Sequence, residues 1–261
     1  MRRPHLKSIP TLLAATFLLT SCSKGEISGL GFEEGLSSVN DHSLSLWKWS
    51  WIAAGVVGVF TLILILWPVF FHRKKDESFP KQTQYNIPVE VAYTIIPFII
   101  VAVLFYFTVQ QESKIVKLSP DAKIEHFIDL KGIQWSWQFN YKDAGDYKSA
   151  TVTGTPAQPP TLYLPLGENV RFTLTANDVV HGFWIPAFMI QMQNLPGVTN
   201  QLEFSANKLG TFPGRCNILC GRNHSQMLFT VKVVTPAEYE TYIQGLAVSY
   251  THLTLPTKRK V

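Results

Sequence analysis

Cysteine and charged residues are both scarce in this chain of 261 residues. Three cysteines are too few for the disulfide framework that holds many small secreted proteins together. Charged residues make up only 16% of the chain and apolar residues 46%, so the composition excludes a disordered protein and favours a membrane protein.

A basic surface for nucleic acid is also missing, although the formal charge is +5. Three of the basic residues lie in the first eight positions and three in the last four, and neither stretch contains an acid. Without these two ends the chain is close to neutral. We therefore expect no nucleic-acid partner.

The N-terminus has the pattern of a secretion signal. A basic start precedes the apolar run 9–20, which is too short to cross a hydrocarbon core of about 30 Å. The run ends in Leu-Thr-Ser-Cys22, which resembles the lipobox of bacterial lipoproteins. That resemblance implies cleavage after the signal peptide 1–21 and lipidation of Cys22; the alternative is an ordinary signal peptide with an incidental cysteine. Residues 22–43, rich in Gly, Ser and Glu, are predicted to be a flexible tether.

Two long apolar runs predict a transmembrane helical hairpin over residues 44–110. The runs, about 51–71 and 89–109, are each long enough to span a bilayer, and tryptophans flank the first. The loop between them is rich in Lys and Arg, which places it in the cytoplasm. The segment 111–247 then lies outside, so we expect a protein of the bacterial plasma membrane with an extracytoplasmic domain.

An acid, Glu90, lies at the cytoplasmic start of the second apolar run. A carboxylate so deep in an apolar stretch is a candidate functional group. The alternative is an ordinary interfacial acid whose side chain reaches the water.

The extracytoplasmic segment 111–247 has the pattern of an all-β domain. Short runs of strand character alternate with turns rich in Pro and Gly, which favours a β-sandwich or barrel. A closing helix is predicted after Thr235, because Pro236 and Glu238 then occupy the first and third helical positions. Residues 248–261 continue no pattern. They resemble translated sequencing-adapter sequence, the alternative being a natural disordered tail.

One short stretch, PGRCNILCGRNHSQM, concentrates four soft or borderline metal donors: Cys216, Cys220, His224 and Met227. His181 begins a strand-like run earlier in the chain. The cysteines could form a disulfide, hold structural zinc, or be core thiols. A mononuclear blue-copper site needs two His, one Cys and a weak axial Met. All of these are present, together with the additional thiolate that bridging two copper ions requires.

These features together resemble subunit II of the haem–copper cytochrome c oxidases, over nearly all of residues 44–247. The resemblance implies a two-helix transmembrane hairpin, a cupredoxin-like Greek-key barrel and a dinuclear copper centre. By this resemblance, Cys216 and Cys220 would bridge both copper ions. His181 and Met227 would complete one copper. His224 and the backbone carbonyl of Ile218 would complete the second.

Two further stretches carry the same resemblance. Residues 132–137 (GIQWSW) resemble the family's aromatic segment, in which an exposed tryptophan receives the electron from cytochrome c. Trp135 is the candidate for that role, whereas Trp137 is expected to pack inside the barrel. Residues 87–94 resemble the start of the family's second span, where a glutamate marks a proton entrance, which favours that role for Glu90.

The chain also departs from the family pattern. Ile218 stands where the family usually has a glutamate whose side chain helps to hold magnesium, so no magnesium is expected from this chain. Because copper uses only the backbone carbonyl at that position, the copper centre is expected to survive. Gln193 and Ile133 replace a frequent Asp and a His, which predicts an altered interface with subunit I.

The expected function is therefore electron transfer within a terminal respiratory oxidase. Electrons from cytochrome c, soluble or tethered, would pass through the copper centre to haem in subunit I, where oxygen is reduced. Subunit I, subunit III and membrane lipid are the expected partners. A membrane-anchored copper-delivery lipoprotein is a second interpretation, and a quinol-oxidase subunit a third, although such subunits lack the copper ligands.

Overall fold

The computed structural model describes residues 31–74, 76–79, 82–142 and 150–254, with side chains described as far as residue 246. The predicted signal peptide 1–21, the proposed lipidation site Cys22 and residues 255–261 lie outside the described residues.

Two long helices form the predicted hairpin. Helix α1 spans Asn40–Phe71 and helix α2 spans Ile87–Ile115. Each contains a stretch long and apolar enough to cross a membrane, and the residues of that stretch are not covered by the rest of the chain. Both predicted apolar runs lie inside these helices. Exposed apolar side chains on a helix of this length belong in lipid or against a partner subunit.

Residues 36–43 correct the latter part of the flexible tether predicted over 22–43, while residues 22–30 lie outside the described part of the chain. Leu36 and Val39 are buried in the core of the β domain, and the backbone amide of Ser38 donates a 3.0 Å hydrogen bond to the carbonyl of Ser205. The hydroxyl of Ser37 accepts a bond from the amide of Asn40, where the helix begins. The composition of this segment indicated a solvated chain. Burial of the two apolar residues Leu36 and Val39 is enough to pack the chain against the β domain from residue 36 onward.

The described part of the β domain contains ten strands, in agreement with the predicted alternation of strand-like runs and turns. They are β1 (His126–Ile133), β2 (Ser136–Tyr141), β3 (Ala150–Thr153), β4 (Thr161–Pro165), β5 (Asn169–Ala176), β6 (His181–Ile185), β7 (Ile190–Asn194), β8 (Asn200–Ser205), β9 (Gly210–Cys216) and β10 (Leu228–Val234). Strands β3 and β7 have only weak signals in the sequence, because β3 is four residues long and β7 is polar at three of its five positions.

The strands form two five-stranded sheets, in the orders β3-β2-β1-β5-β8 and β4-β10-β9-β6-β7. The pairs β1–β5 and β4–β10 are parallel and the remaining pairs are antiparallel. Alternate residues of facing strands fill the space between the sheets with aromatic rings, among them Trp137, Phe172, Phe183 and Phe229. The fold is the expected hairpin followed by an all-β, cupredoxin-like domain.

Helix α3 (Pro236–Thr254) closes the domain and begins as predicted. Thr235 and Glu238 form a reciprocal capping box, in which each side chain accepts a hydrogen bond from the other residue's amide. Tyr239 and Ile243 are buried against the sheets. The helix runs seven residues past the predicted boundary at 247, because no proline interrupts the pattern before Pro256.

Candidate metal centre

Three neighbouring strands bring distant parts of the sequence to one end of the barrel. His181 is the first residue of β6, Cys216 is the last residue of β9, and Met227 directly precedes β10. Strand β9 pairs with both β6 and β10, and Phe183 lies opposite Cys216. The sheet therefore places His181 beside the loop that carries the other candidate ligands.

The sulfur of Cys220 lies at the centre of this group. Its Sγ atom is 3.9 Å from Sγ of Cys216, 3.7 Å from Sδ of Met227 and 3.6 Å from Nδ1 of His224. The two cysteines are free thiols, so the structure does not contain the disulfide that the sequence alone allowed. Both thiols and the thioether are buried.

The backbone at Ile218 also faces this group. Its carbonyl oxygen lies 3.2 Å from the Cys216 sulfur, and the thiol donates to it. The side chain of Leu219, the next residue, is 80% exposed. At position 218 the loop thus offers an oxygen from the main chain, independently of the side chain there.

His181 is fully buried, and one of its two ring nitrogens is hydrogen-bonded within the protein. Its Nε2 atom lies 2.8 Å from Oδ1 of Asp178. Its Nδ1 atom is buried and makes no hydrogen bond to the residues that the structure describes. One ligand atom from each of His181, Cys216 and Cys220 lies within 4.8 Å of the others. A histidine fixed through one nitrogen, with the other left without a partner, is the arrangement typical of a metal ligand.

Two neighbours of His181 were not predicted from the sequence. Asp178, which orients the ring, lies three residues before it and could have been suspected from that spacing. Gly132 gives the ring its space, because a Cβ atom there would lie only 2.8 Å from the imidazole of His181. Nothing in the sequence indicates this second contact, since it joins two strands that are far apart along the chain.

The two cysteine thiols differ in acidity. Burial raises the pKa of Cys216, but the nearby imidazole of His181 and the backbone amide of Gly182 outweigh it, so the pKa lies below the ordinary thiol value. Burial and the negative charge on Cys216 together raise the pKa of Cys220. Ionisation of one thiol therefore opposes ionisation of the other. A bound metal cation would supply the charge that a second thiolate needs.

The donor set fits copper on these observations. Two thiol sulfurs, two imidazole nitrogens, a thioether and a carbonyl converge, and soft sulfur donors favour copper over harder ions. Nδ1 of His224 lies 3.6 Å from the Cys220 sulfur, and the buried Nδ1 of His181 has no hydrogen-bond partner in the described part of the chain. The predicted ligands are thus brought together as one group.

The two predicted tryptophans occupy different positions. Trp135 is half-buried beside the loop that carries Cys220 and His224, and its Nε1 donates a 3.1 Å hydrogen bond to the carbonyl of Cys220. The side chain of Gln134 donates to the same carbonyl. Trp137 is fully buried, with its ring 6.2 Å from that of His181. The prediction that Trp137 packs in the core is confirmed.

Glu90 lies in the first turn of α2, at the opposite end of the hairpin from the β domain. Its carboxylate accepts a 2.9 Å hydrogen bond from the backbone amide of Asn86, and the side chain of Asn86 accepts one from the amide of Val89. Glu90 therefore has a structural role as part of the helix cap. A role in proton uptake stays a prediction.

Comparison with known proteins identifies the family. Residues 127–234 match the model for "Cytochrome C oxidase subunit II, periplasmic domain". The chain is 39% identical to the probable cytochrome c oxidase subunit 2 of Streptomyces coelicolor, over 94% of this chain and 89% of that protein. It is 32% identical to cytochrome c oxidase subunit 2 of Mycobacterium tuberculosis, over 94% and 82%. The periplasmic domain of subunit II of cytochrome oxidase of Bradyrhizobium japonicum superposes with a TM-score of 0.46 and 27% identity, over 51% of this chain and 99% of that one.

Proposed function

Because the chain belongs to the cytochrome c oxidase subunit II family, we propose that it is the electron-transfer subunit of a terminal respiratory oxidase. The β domain would hold a dinuclear copper centre on the extracytoplasmic side of the plasma membrane. Oxygen reduction would take place in subunit I, so the activity belongs to the whole complex.

The observation that carries this proposal is the position of the Cys220 sulfur. It lies within 4 Å of a second thiol, a thioether and an imidazole nitrogen at the same time. A sulfur with donors on several sides is suited to bridging, and the second thiol, Cys216, has its own neighbours in His181 and the carbonyl of Ile218. The bound copper pair would supply a one-electron carrier.

The chain's residues keep this carrier rigid. His181 and Cys216 lie at the ends of strands in one sheet, and Met227 directly precedes a third strand of that sheet. Trp137 packs beneath them with its Nε1 3.4 Å from the carbonyl of Met227. A rigid ligand frame helps electron transfer because little rearrangement accompanies the change in charge. Burial keeps water away from the sulfurs.

Trp135 is the proposed point at which electrons from cytochrome c arrive. Its indole is partly exposed and is hydrogen-bonded to the backbone of a proposed bridging cysteine, which gives a short connection from the surface to Cys220. Gly221 permits this approach, since a Cβ atom there would lie 3.1 Å from Nε1 of Trp135. Electrons would leave toward haem in subunit I.

The remaining parts of the proposal concern the membrane. The hairpin would cross the bilayer twice and pack against subunit I and subunit III, with Glu90 marking a proton entrance at the cytoplasmic end. Cys22 would carry lipid. No magnesium ligand is proposed for this chain, because Ile218 offers only its backbone carbonyl.

The test is to tag this chain, purify it from membranes, and record haem content, copper content and cytochrome c oxidation. We expect haem-containing subunits to copurify and oxygen consumption to depend on the chain. Trp135→Leu should slow oxidation of cytochrome c at least tenfold while copper content stays unchanged. Trp184→Leu, at another partly exposed indole, is the matched control. Copper without any haem subunit would indicate a copper-delivery protein instead.

A further inference from the structure

Two adjoining cavities lie where the hairpin meets the β domain, away from the metal centre. One, of about 290 Å³, lies between the ends of the helices and strand β8. The other, of about 420 Å³, lies between α1 and α2 and reaches Met189 of the β domain. Ile115, the last residue of α2, lines both. The cavities therefore adjoin at this residue.

The smaller cavity is polar and basic. Lys114, Lys117 and His42 line it. Neither lysine makes an ion pair within the part of the chain that the structure describes. Glu203 lines it too, but its carboxylate already accepts hydrogen bonds from Arg171 and from the amide of Ser119. The cavity therefore has positive charge without a protein partner.

The larger cavity is mainly apolar, and among the described residues a buried hydrogen-bond donor on its lining lacks a partner. Leu46, Trp47 and Ile115 are among the residues that line it. The Nε1 atom of Trp47 is buried and has no hydrogen-bond partner among the described residues. A buried indole N–H usually finds an acceptor, because leaving it without one costs on the order of 1–3 kcal/mol. Glu112, on the same lining, is exposed to solvent and cannot serve as a buried acceptor.

The depth of these groups matches the headgroup layer of a bilayer. Lys114 lies five residues beyond the second apolar run, which is roughly 7 Å along a helix. Trp47 lies four residues before the first run, or roughly 6 Å. The headgroup layer extends about 5–8 Å beyond each face of the hydrocarbon core. Lys114 and the indole of Trp47 therefore lie where phosphates and ester carbonyls are found, and Lys117 follows two residues after the end of the helix.

We propose that this junction binds one anionic phospholipid of the outer leaflet. The phosphate lies against Lys114 and Lys117, an ester carbonyl accepts the hydrogen bond from Nε1 of Trp47, and an acyl chain fills the apolar cavity between the helices. The two lysines favour an anionic lipid over a neutral one, and the adjoining apolar cavity favours a lipid over free phosphate. The lipid joins the hairpin to strand β8. The proposal goes beyond electron transfer and does not depend on copper.

The test measures lipids that stay bound. The tagged chain, with the subunits that copurify, is washed in mild detergent, and its phospholipids are quantified by mass spectrometry. We expect the double variant Lys114→Ala/Lys117→Ala to lose one anionic phospholipid per complex. The double variant Lys123→Ala/Lys131→Ala, which removes the same charge from the β domain, should retain it. Trp47→Phe keeps the ring but not the donor and should lower retention at least threefold under the same wash.

Equal retention in the lysine variant and its control would overturn the proposal, as would loss of neutral and anionic lipids in equal measure. Copper content is recorded in the same samples. Unchanged copper in all variants separates a result on the lipid site from a failure of the metal centre.

Discussion

The imidazole Nε2 of His181 lies 2.8 Å from the Oδ1 atom of Asp178. The same carboxylate accepts hydrogen bonds from the backbone amides of Val179 and Gln134. Gln134 directly precedes Trp135, so Asp178 connects the proposed copper ligand with the segment proposed to receive electrons. A carboxylate behind a ligating histidine fixes the ring and raises its basicity.

Replacing Asp178 by Asn should weaken copper binding about 10–100-fold, because the histidine loses its anionic partner. The measurement is copper retained by the purified complex during dialysis against a chelator of known affinity. Asp129→Asn, which changes a carboxylate paired with Lys142 elsewhere on the domain, is the control and should retain copper normally. Equal copper loss in both variants would mean that Asp178 does not act through His181.

A copper pair of the proposed kind is expected to give a near-infrared absorption band. Replacing Ile218 by Glu should leave this band and the copper content unchanged. The reason is that the carbonyl of residue 218, and not its side chain, faces the Cys216 sulfur. The measurement is an absorption spectrum with a metal assay on the same sample. Cys220→Ser is the opposite control and should abolish the band. A shifted band in the Ile218 variant would show that the side chain contributes to the metal environment.

Replacing Trp137 by Ala should destabilise the β domain by about 3–5 kcal/mol, since a fully buried indole leaves a cavity behind. The ring packs edge-on against Phe183 and Phe229, with centroids 5.8 and 5.5 Å away. The melting temperature, followed by the copper absorption, should fall by about 10 °C or more. Trp135→Ala, at a half-buried position, should lower it much less.

A buried ion pair fixes the chain between the hairpin and the barrel. Arg171, on β5, pairs with Glu203, on β8, at 2.9 Å, and donates to the carbonyl of Ser119 in the linker after α2. Glu203→Gln should cost about 1.5–3 kcal/mol of stability at neutral pH, the value of a hydrogen bond to a charged group. Denaturant titration checks this, and a loss no larger than that of Asp129→Asn would contradict it.

The ion pair of Arg171 with Glu203 predicts that the stability of the chain decreases at acidic pH. Burial alone would raise the pKa of Glu203, but the hydrogen bonds from Ser119 and Arg171 outweigh it and lower the pKa. Because the pKa of Glu203 is lower in the folded chain, its ionised carboxylate stabilises the fold fully above the ordinary glutamate pKa. This stabilisation is lost as the pH falls through the pKa of the folded chain. Stability of the native chain should therefore drop in acid more steeply than that of Glu203→Gln. Parallel pH profiles would exclude this contribution.

Much of the fold could be predicted because its signals are local. The apolar runs identified the hairpin, and the alternation of strand-like runs with Pro and Gly turns identified the β domain. The capping residues Thr235 and Glu238 located the start of α3. The spacing of Cys216, Cys220, His224 and Met227 placed four donors on one loop, which the structure brings together with His181.

The parts that were missed depend on contacts between distant residues. The attachment of Ser38 to Ser205 joins positions 167 residues apart, and composition alone favoured a solvated tether there. The close approach of Gly132 to His181 brings together residues of two different strands. The ion pair of Arg171 with Glu203 does the same for another two strands. Such contacts arise from the packing of the sheets, which no local pattern specifies.

The sulfur-bridged copper pair is best tested by the number of copper ions per chain in the purified complex, measured together with its near-infrared absorption. We expect two copper ions per chain and a near-infrared band that disappears in both Cys216→Ser and Cys220→Ser. A single copper or zinc ion per chain, or a band that survives either substitution, would contradict a sulfur-bridged copper pair.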